Sequence, residues 1–262
     1  MGSVEDEVLF DVRDRVAYIT LNRPESRNAL SQAVVARLSE VFTKAAEDDD
    51  IWAIVVTGTG DRAFCAGGDL KELNRIAQEG GRFPVPMTGT ERNLFELVLE
   101  IGKPVIASLN GPAVAGGFEL ALACDIRLAA EHATIGMPEA KRGMGANFAT
   151  VLLPRLVPRS VALTMLYLGD LMSPDEALRW GLVTAVYPSE SLADETELFV
   201  RRLVANAPLA LRRYKEMATK GWELSVPAAL RLNVGPNPYL SADREEGVRA
   251  FLEKRPPRWT GK

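Results

Sequence analysis

The sequence predicts a single α/β unit, and three observations predict it. Short apolar runs rich in β-branched residues stand at 51–56 and 104–109, each of strand length and bounded by turn residues. Segments with helical spacing lie between and after them. Strand-strand-helix units recur about three times, without identical repeats, before the chain turns helical from Glu190 onward. A length of 262 residues with 47% hydrophobic side chains suits one such unit with a substantial core.

Each element has a local reason. Val8–Arg13 and Val16–Leu21 bracket Asp14-Arg15 and predict an entry hairpin, which Asn22-Arg23-Pro24 stops. Ser31 is placed to cap a helix with apolar positions Val34, Val35, Leu38, Val41, Phe42 and Ala45, ended by Asp48-Asp49-Asp50. Ile51–Val56 is a buried strand. Gly58-x-Gly60-x-x-Ala63 after it superficially matches a dinucleotide fingerprint. The match fails, because the loop runs on through Phe64-Cys65-Ala66-Gly67-Gly68 and no acid stands at a second strand end for a ribose. Gln78–Gly89, with a glycine pair and two prolines, predicts a mobile loop over a cavity. Glu91–Ile101 predicts a helix. Apolar helical segments follow at Phe148–Leu156 and Val157–Leu168, divided by Pro154 and Pro158. Ser173-Pro174-Asp175-Glu176 is a capping box with proline at the first helical position, and Gly181 ends its helix. Val183–Val186 is a last short strand. Leu198–Val204, Leu209–Met217, Ala228–Leu232 and Ser241–Lys254 then read as helices.

Composition excludes several function classes. A balance of 31 basic against 35 acidic side chains gives −4, which argues against a nucleic-acid surface. No apolar run reaches membrane-spanning length, and the acidic start is unlike a targeting peptide, so a cytoplasmic protein without a membrane partner is expected. Cys65 and Cys124 lie in apolar company and read as reduced thiols. His132 is the only histidine, which excludes two-histidine zinc motifs and makes a histidine-based triad improbable; no metal is expected.

The stretch from Lys103 to Glu139 concentrates the chemistry. Pro104–Leu109 is a buried strand, broken by Asn110-Gly111-Pro112. Gly116-Gly117 then opens a helical run through Ala123. A glycine pair at a helix start leaves backbone N–H groups bare and lets another molecule approach closely. Glu119 sits in that first turn, and Glu139 follows in the tight-turn context Gly136-Met137-Pro138. Gly67-Gly68 opens another helix, so a second bare N–H can point into the same cavity, although no Gly-Lys-Ser/Thr follows and it is no phosphate-cradling loop.

Five stretches resemble signatures of the enoyl-CoA hydratase/isomerase (crotonase) superfamily, in the right order over nearly the whole chain. They are Leu21–Leu30, Phe64–Lys71, Asn110–Asp125, Gly136–Glu139 and Glu246–Arg255. The resemblance implies a ClpP-like spiral of ββα units at 1–200 carrying the site, with a helical region at 201–262 for trimerisation and CoA cover. It implies homotrimers that usually pair into hexamers. Carried over residue by residue, it implies that the N–H groups of Gly68 and Gly116 form an oxyanion hole and that Glu119 and Glu139 are the catalytic acids. It assigns the loop Ala66, Gly68, Asp69, Leu70 and Lys71 to the adenine end of coenzyme A, and Arg23 and Arg27 to its phosphates. Phe251 and Lys254 match a helix that often reaches a neighbour's CoA. Coenzyme A would be part of the substrate, with no separate cofactor.

These residue types suit hydration of a 2-enoyl thioester. Charge developing on the thioester oxygen needs preorganised donors, and losing one typically costs about 2.7–4 kcal/mol. Two carboxyl groups that differ in protonation can hold one water, take its proton and deliver one to Cα; Glu139 is the expected donor to Cα. The segment after Glu139 departs from the family pattern: Gly143–Thr150 lacks the usual proline and carries Phe148 where glycine is common. Met144, Phe148 and Phe118 are therefore expected to shape the acyl pocket. An isomerase, a dehydratase or hydrolase on a specialised acyl-CoA, and a silent or RNA-binding relative remain alternatives.

Overall fold

The computed structural model describes residues 4–81 and 92–262. Its strands are β1 (Val8–Arg13), β2 (Val16–Leu21), β3 (Ala53–Gly58), β4 (Val105–Leu109), β5 (Ala113–Val114), β6 (Ile126–Ala130), β7 (Ile135–Gly136) and β8 (Ala185–Tyr187). The first helices are α1 (Val4–Glu7), α2 (Gln32–Glu47), α3 (Leu70–Gln78), α4 (Leu94–Glu100), α5 (Gly116–Ala123) and α6 (Asn147–Leu156). They continue as α7 (Arg159–Leu168), α8 (Pro174–Arg179), α9 (Leu192–Val204), α10 (Pro208–Gly221), α11 (Val226–Ala229) and α12 (Ala242–Leu252).

Six strands form the main sheet in the order β1-β2-β3-β4-β6-β8, with the predicted β1–β2 hairpin antiparallel and every later pair parallel. The apolar runs explain this: β4 is buried along its whole length, as a strand covered on both faces must be. Helix α2 lays Val34, Leu38, Val41, Phe42 and Ala45 into the core, capped by the Ser31 hydroxyl accepting from Val34 N–H. At its other end the buried Lys103 ammonium donates to the Ala45 and Asp48 carbonyls, which need cationic partners there.

A second, smaller layer is the part the sequence hides. β5 and β7 pair in parallel, and single bridges join Leu30 to Gly68, Cys65 to Ala113 and Ile135 to Met172. Each turn of the chain thus adds one short extended segment to this layer, as a spiral of repeated units requires. Two-residue strands carry no periodicity, so nothing in the sequence marks 113–114 and 135–136 as strands.

Smaller departures have equally local causes. Pro154 lies inside α6 instead of ending it, at the cost of one intrahelical hydrogen bond to the Thr150 carbonyl, and the helix closes two residues later at Leu156. Val157 is extended, and α7 starts only after Pro158. Helix α4 begins at Leu94 because Asn93 supplies a capping box with Glu96. Of the stretch expected as a mobile loop at 78–89, positions 82–89 lie outside the described residues, and Gln78 itself closes α3. No helix among the described residues is long and apolar enough to cross a membrane.

Candidate active site

The small layer brings three loops to one level. Val114 N–H donates to the Cys65 carbonyl at 3.0 Å and Ala115 N–H to the Gly136 carbonyl at 2.9 Å. Cys65 bridges Ala113 and Gly136 pairs with Val114, and three residues beyond Cys65, Ala113 and Gly136 stand Gly68, Gly116 and Glu139. Segments dispersed in the sequence therefore meet because they exit one ladder together. Glu119 joins them from the first turn of α5.

The two glycine pairs divide their labour. A Cβ on Gly117 would lie 2.1 Å from the Cys65 carbonyl oxygen, so packing alone forbids a side chain there. Gly67 has φ +87°, and a Cβ on it would stand 2.9 Å from the Val114 oxygen. Gly68 and Gly116 are different: a Cβ would meet nothing closer than 3.7 and 3.6 Å. The fold tolerates a side chain at both, so glycine there leaves room for a ligand. Among the described residues, no protein acceptor takes either N–H. Ala115 aims the second one. Its backbone, at φ 55° and ψ −131°, occupies a region that costs a non-glycine residue about 1–3 kcal/mol, held by the hydrogen bonds of its N–H and carbonyl.

The carboxyl groups are both buried but not equivalent. Glu119 Oε1 accepts from Ala149 N–H at 2.9 Å, and Phe148 N–H also faces this carboxylate. These are N-terminal amides of α6, whose own cap position, Ala146, offers no side chain. Glu119 thus caps a helix from another element, and that helix end favours its ionised form. Burial still raises its pKa, with the amides opposing. Glu139 follows β7 in a 3-10 turn, Pro138–Arg142, and its Oε2 has no hydrogen-bond partner among the described residues. Burial, with a contribution from the charge on Glu119, pushes Glu139 up to about 7. Two buried carboxyl groups in unlike surroundings, one accepting from helix amides and one without a partner, are what an acid–base pair needs.

Other expected residues fall into place unevenly. Asp69 caps α3, accepting from Lys71 and Glu72 N–H, and its second oxygen takes both guanidinium nitrogens of Arg23 at 3.1 Å. Arg23 also donates to the Ala29 carbonyl and pairs with Glu7, so it is committed to holding the loop rather than free for a phosphate. Arg27 is exposed, and its carbonyl takes Ala66 N–H. Leu70 and Lys71 are exposed beside it. Phe118, expected against the acyl group, is instead sealed in the core with no exposed surface, because α5 buries seven of its eight residues. Met144 is half-buried after the turn carrying Glu139, and Phe148 stacks at 5.6 Å on Phe95. Phe95 was not foreseen; its ring edge would lie 3.7 Å from a Cβ on Gly116. Phe251 and Lys254 are exposed at the end of α12.

The remaining reactive groups are silent. Burial pushes both cysteine thiols up to about 12, so neither is a nucleophile near neutrality. His132 sits on the surface between Ser189 and the Asp61 carbonyl.

The chain as a whole is similar to known proteins. Residues 11–262 match the family described as enoyl-CoA hydratase/isomerase. The chain is 36% identical to (E)-benzylidenesuccinyl-CoA hydratase of Thauera aromatica, over 97% of this chain and 99% of that one. It is 33% identical to crotonyl-CoA hydratase of Syntrophomonas wolfei subsp. wolfei, over 95% and 96% of the two chains. The crystal structure of an enoyl-CoA hydratase from Bacillus anthracis superposes with a TM-score of 0.90 at 34% identity, covering 98% of this chain and all of that one.

Proposed function

We propose a function that proceeds from one premise: this chain belongs to the enoyl-CoA hydratase/isomerase family. It is a hydro-lyase of the enoyl-CoA hydratase type, adding water across the double bond of a 2-enoyl-CoA thioester to give a 3-hydroxyacyl-CoA. The observation that carries the mechanism is two unclaimed backbone amides beside two buried carboxyl groups, one accepting from the α6 amides and one without a hydrogen-bond partner among the described residues.

In that mechanism the thioester oxygen sits between Gly68 and Gly116 N–H and receives charge as the enolate forms. Amides fixed by the ladder need no reorganisation at that moment, which is the source of their effect. Ionised Glu119 orients the water over the β-carbon and takes its proton. Neutral Glu139, lacking any other acceptor for its proton, delivers it to Cα. The loop Ala66–Lys71 receives the adenine end of coenzyme A, with exposed Arg27 nearest the phosphates and Arg23 shaping the loop through Asp69. No cofactor takes part beyond the coenzyme A of the substrate.

Exposed apolar side chains at the C-terminal surface support an assembly. Tyr239, Leu240, Phe251 and Leu252 are 74–85% exposed in the isolated chain, more apolar surface than a free helix end ordinarily presents. Homotrimers, pairing into hexamers, would cover it, with 201–262 as the associating region and 1–200 as the site-bearing body. Two buried, unpaired thiols suit the cytoplasm.

Incubation with crotonyl-CoA and, separately, with a 3-enoyl-CoA, followed by product identification, tests this reading. A 3-hydroxyacyl-CoA from the first substrate supports it. Double-bond migration in the second with no hydration of the first would replace it with an isomerase.

A further inference from the structure

Two side-chain amides that the mechanism does not use meet on a single carbonyl. Buried Asn28 donates from Nδ2 to the Ala63 carbonyl at 2.8 Å and to the Thr59 carbonyl at 3.1 Å, while its Oδ1 accepts from Arg23 N–H at 2.9 Å. Asn110, from the loop after β4, also reaches the Ala63 carbonyl, at 3.4 Å, and donates to the Gly60 carbonyl at 2.6 Å. Its Oδ1 accepts from Gly58 N–H at 2.9 Å. Each position asks for an acceptor and two donors on one short side chain, which asparagine supplies and aspartate does not. The fit is tight: a Cβ on Gly58 would stand 2.6 Å from Asn28 Nδ2.

The three segments joined in this way are those that aim the unclaimed backbone amides. Ala63 opens the stretch that reaches Gly68 five residues later, and Asn110 opens the one that reaches Gly116 six residues later. Asn28 stands two residues before Leu30, whose N–H donates to the Gly67 carbonyl at 2.8 Å and whose carbonyl accepts from Asp69 N–H at 3.0 Å. In such a parallel pairing the residue between, Gly68, turns its own N–H to the side away from Leu30. Resting on the reading of Gly68 and Gly116 as an oxyanion hole, we propose that Asn28 and Asn110 form a clamp on the Ala63 carbonyl that fixes the spacing of the two donors. Both are positioning residues, acting through the backbone they hold. A misplacement of about 1 Å can cost about 100-fold in rate, so loosening the clamp lowers turnover without removing either donor.

Infrared difference spectra of bound butyryl-CoA, which cannot be hydrated, read the hole through an isotope-labelled thioester carbonyl. In the wild-type protein the carbonyl band lies below its position in free butyryl-CoA. In Asn28→Asp, which keeps the acceptor and loses both donors, that displacement falls by at least about half. Asn110→Ala is gentler on the fold, because water can replace the amide at the exposed Gly60 contact, and it acts the same way. In both, kcat for crotonyl-CoA hydration falls at least about tenfold while KM changes by less than about threefold. His132→Ala is the control: it frees the same loop at the Asp61 carbonyl, outside the clamp, and keeps the wild-type band. The proposal is overturned if the folded asparagine variants keep the wild-type displacement, whatever their stability, or if His132→Ala loses as much as they do. A wild-type band that is not displaced would reject the oxyanion reading itself, and the clamp with it. A displaced band that the clamp variants lose, in a protein that does not hydrate crotonyl-CoA, would reject the hydratase reading and support the clamp.

Discussion

Glu139→Gln should make this protein more stable in alkaline solution while disabling it. Glu139 is held above its ordinary value, at about 7 against 4.5, because burial disfavours its charge and Glu119 repels it. A folded-state pKa raised in this way means the fold binds the proton more tightly than the unfolded chain does. The associated stability is fully present below about pH 4.5 and is lost as pH rises through about 7. At 1.36 kcal/mol per pH unit the whole loss is at most about 3 kcal/mol. Solvent in the cleft reduces this, leaving about 1–2.5 kcal/mol between about pH 5 and pH 8.5. Glutamine keeps the shape and cannot ionise, so the variant escapes the loss. Urea unfolding of both proteins, at one fixed protein concentration, should show Glu139→Gln gaining that much relative to wild type on going from the lower to the higher pH. A stability difference that is independent of pH would refute the assignment of Glu139 as a buried, proton-holding acid.

Two further outcomes follow from the loop geometry. Gly116→Ala should fold with nearly native stability, since its nearest new contact is 3.6 Å away, yet lose at least about tenfold in kcat/KM as the methyl crowds the thioester; Gly117→Ala, meeting the Cys65 carbonyl at 2.1 Å, should be severely destabilised. Thermal melts and steady-state kinetics distinguish the two. Arg23→Ala should lose about 2–4 kcal/mol of stability by leaving Asp69 without its bidentate partner, and should raise KM for acyl-CoA more than it lowers kcat, because Asp69 positions the loop rather than the reacting atoms.

The large elements were legible in the sequence because each carries its own local signal. β3 and β4 are β-branched runs of strand length, and Ser31 and Ser173 cap the helices they were expected to cap. The family membership was legible too, because its five stretches span the chain. What escaped was nonlocal. β5 and β7 are too short for any period to show, yet they align the three loops of the site. Arg23 was expected at the coenzyme A phosphates, and its commitment to Asp69 left no local sign because the two lie 46 residues apart. The orientation of Phe118 could not be read from a helix buried on every side, where no polar face marks which way is out. Glu119 as the cap of α6 left one faint trace, a helix start at Ala146 without a capping side chain of its own.

The most direct measurement compares crotonyl-CoA hydration by wild type, Glu119→Gln, Glu139→Gln and the double variant, each verified as folded. If the two carboxyl groups manage one water together, each single change lowers kcat by about 100-fold or more, and the double variant is scarcely slower than the worse single one. Near-native turnover by either single variant would contradict the account.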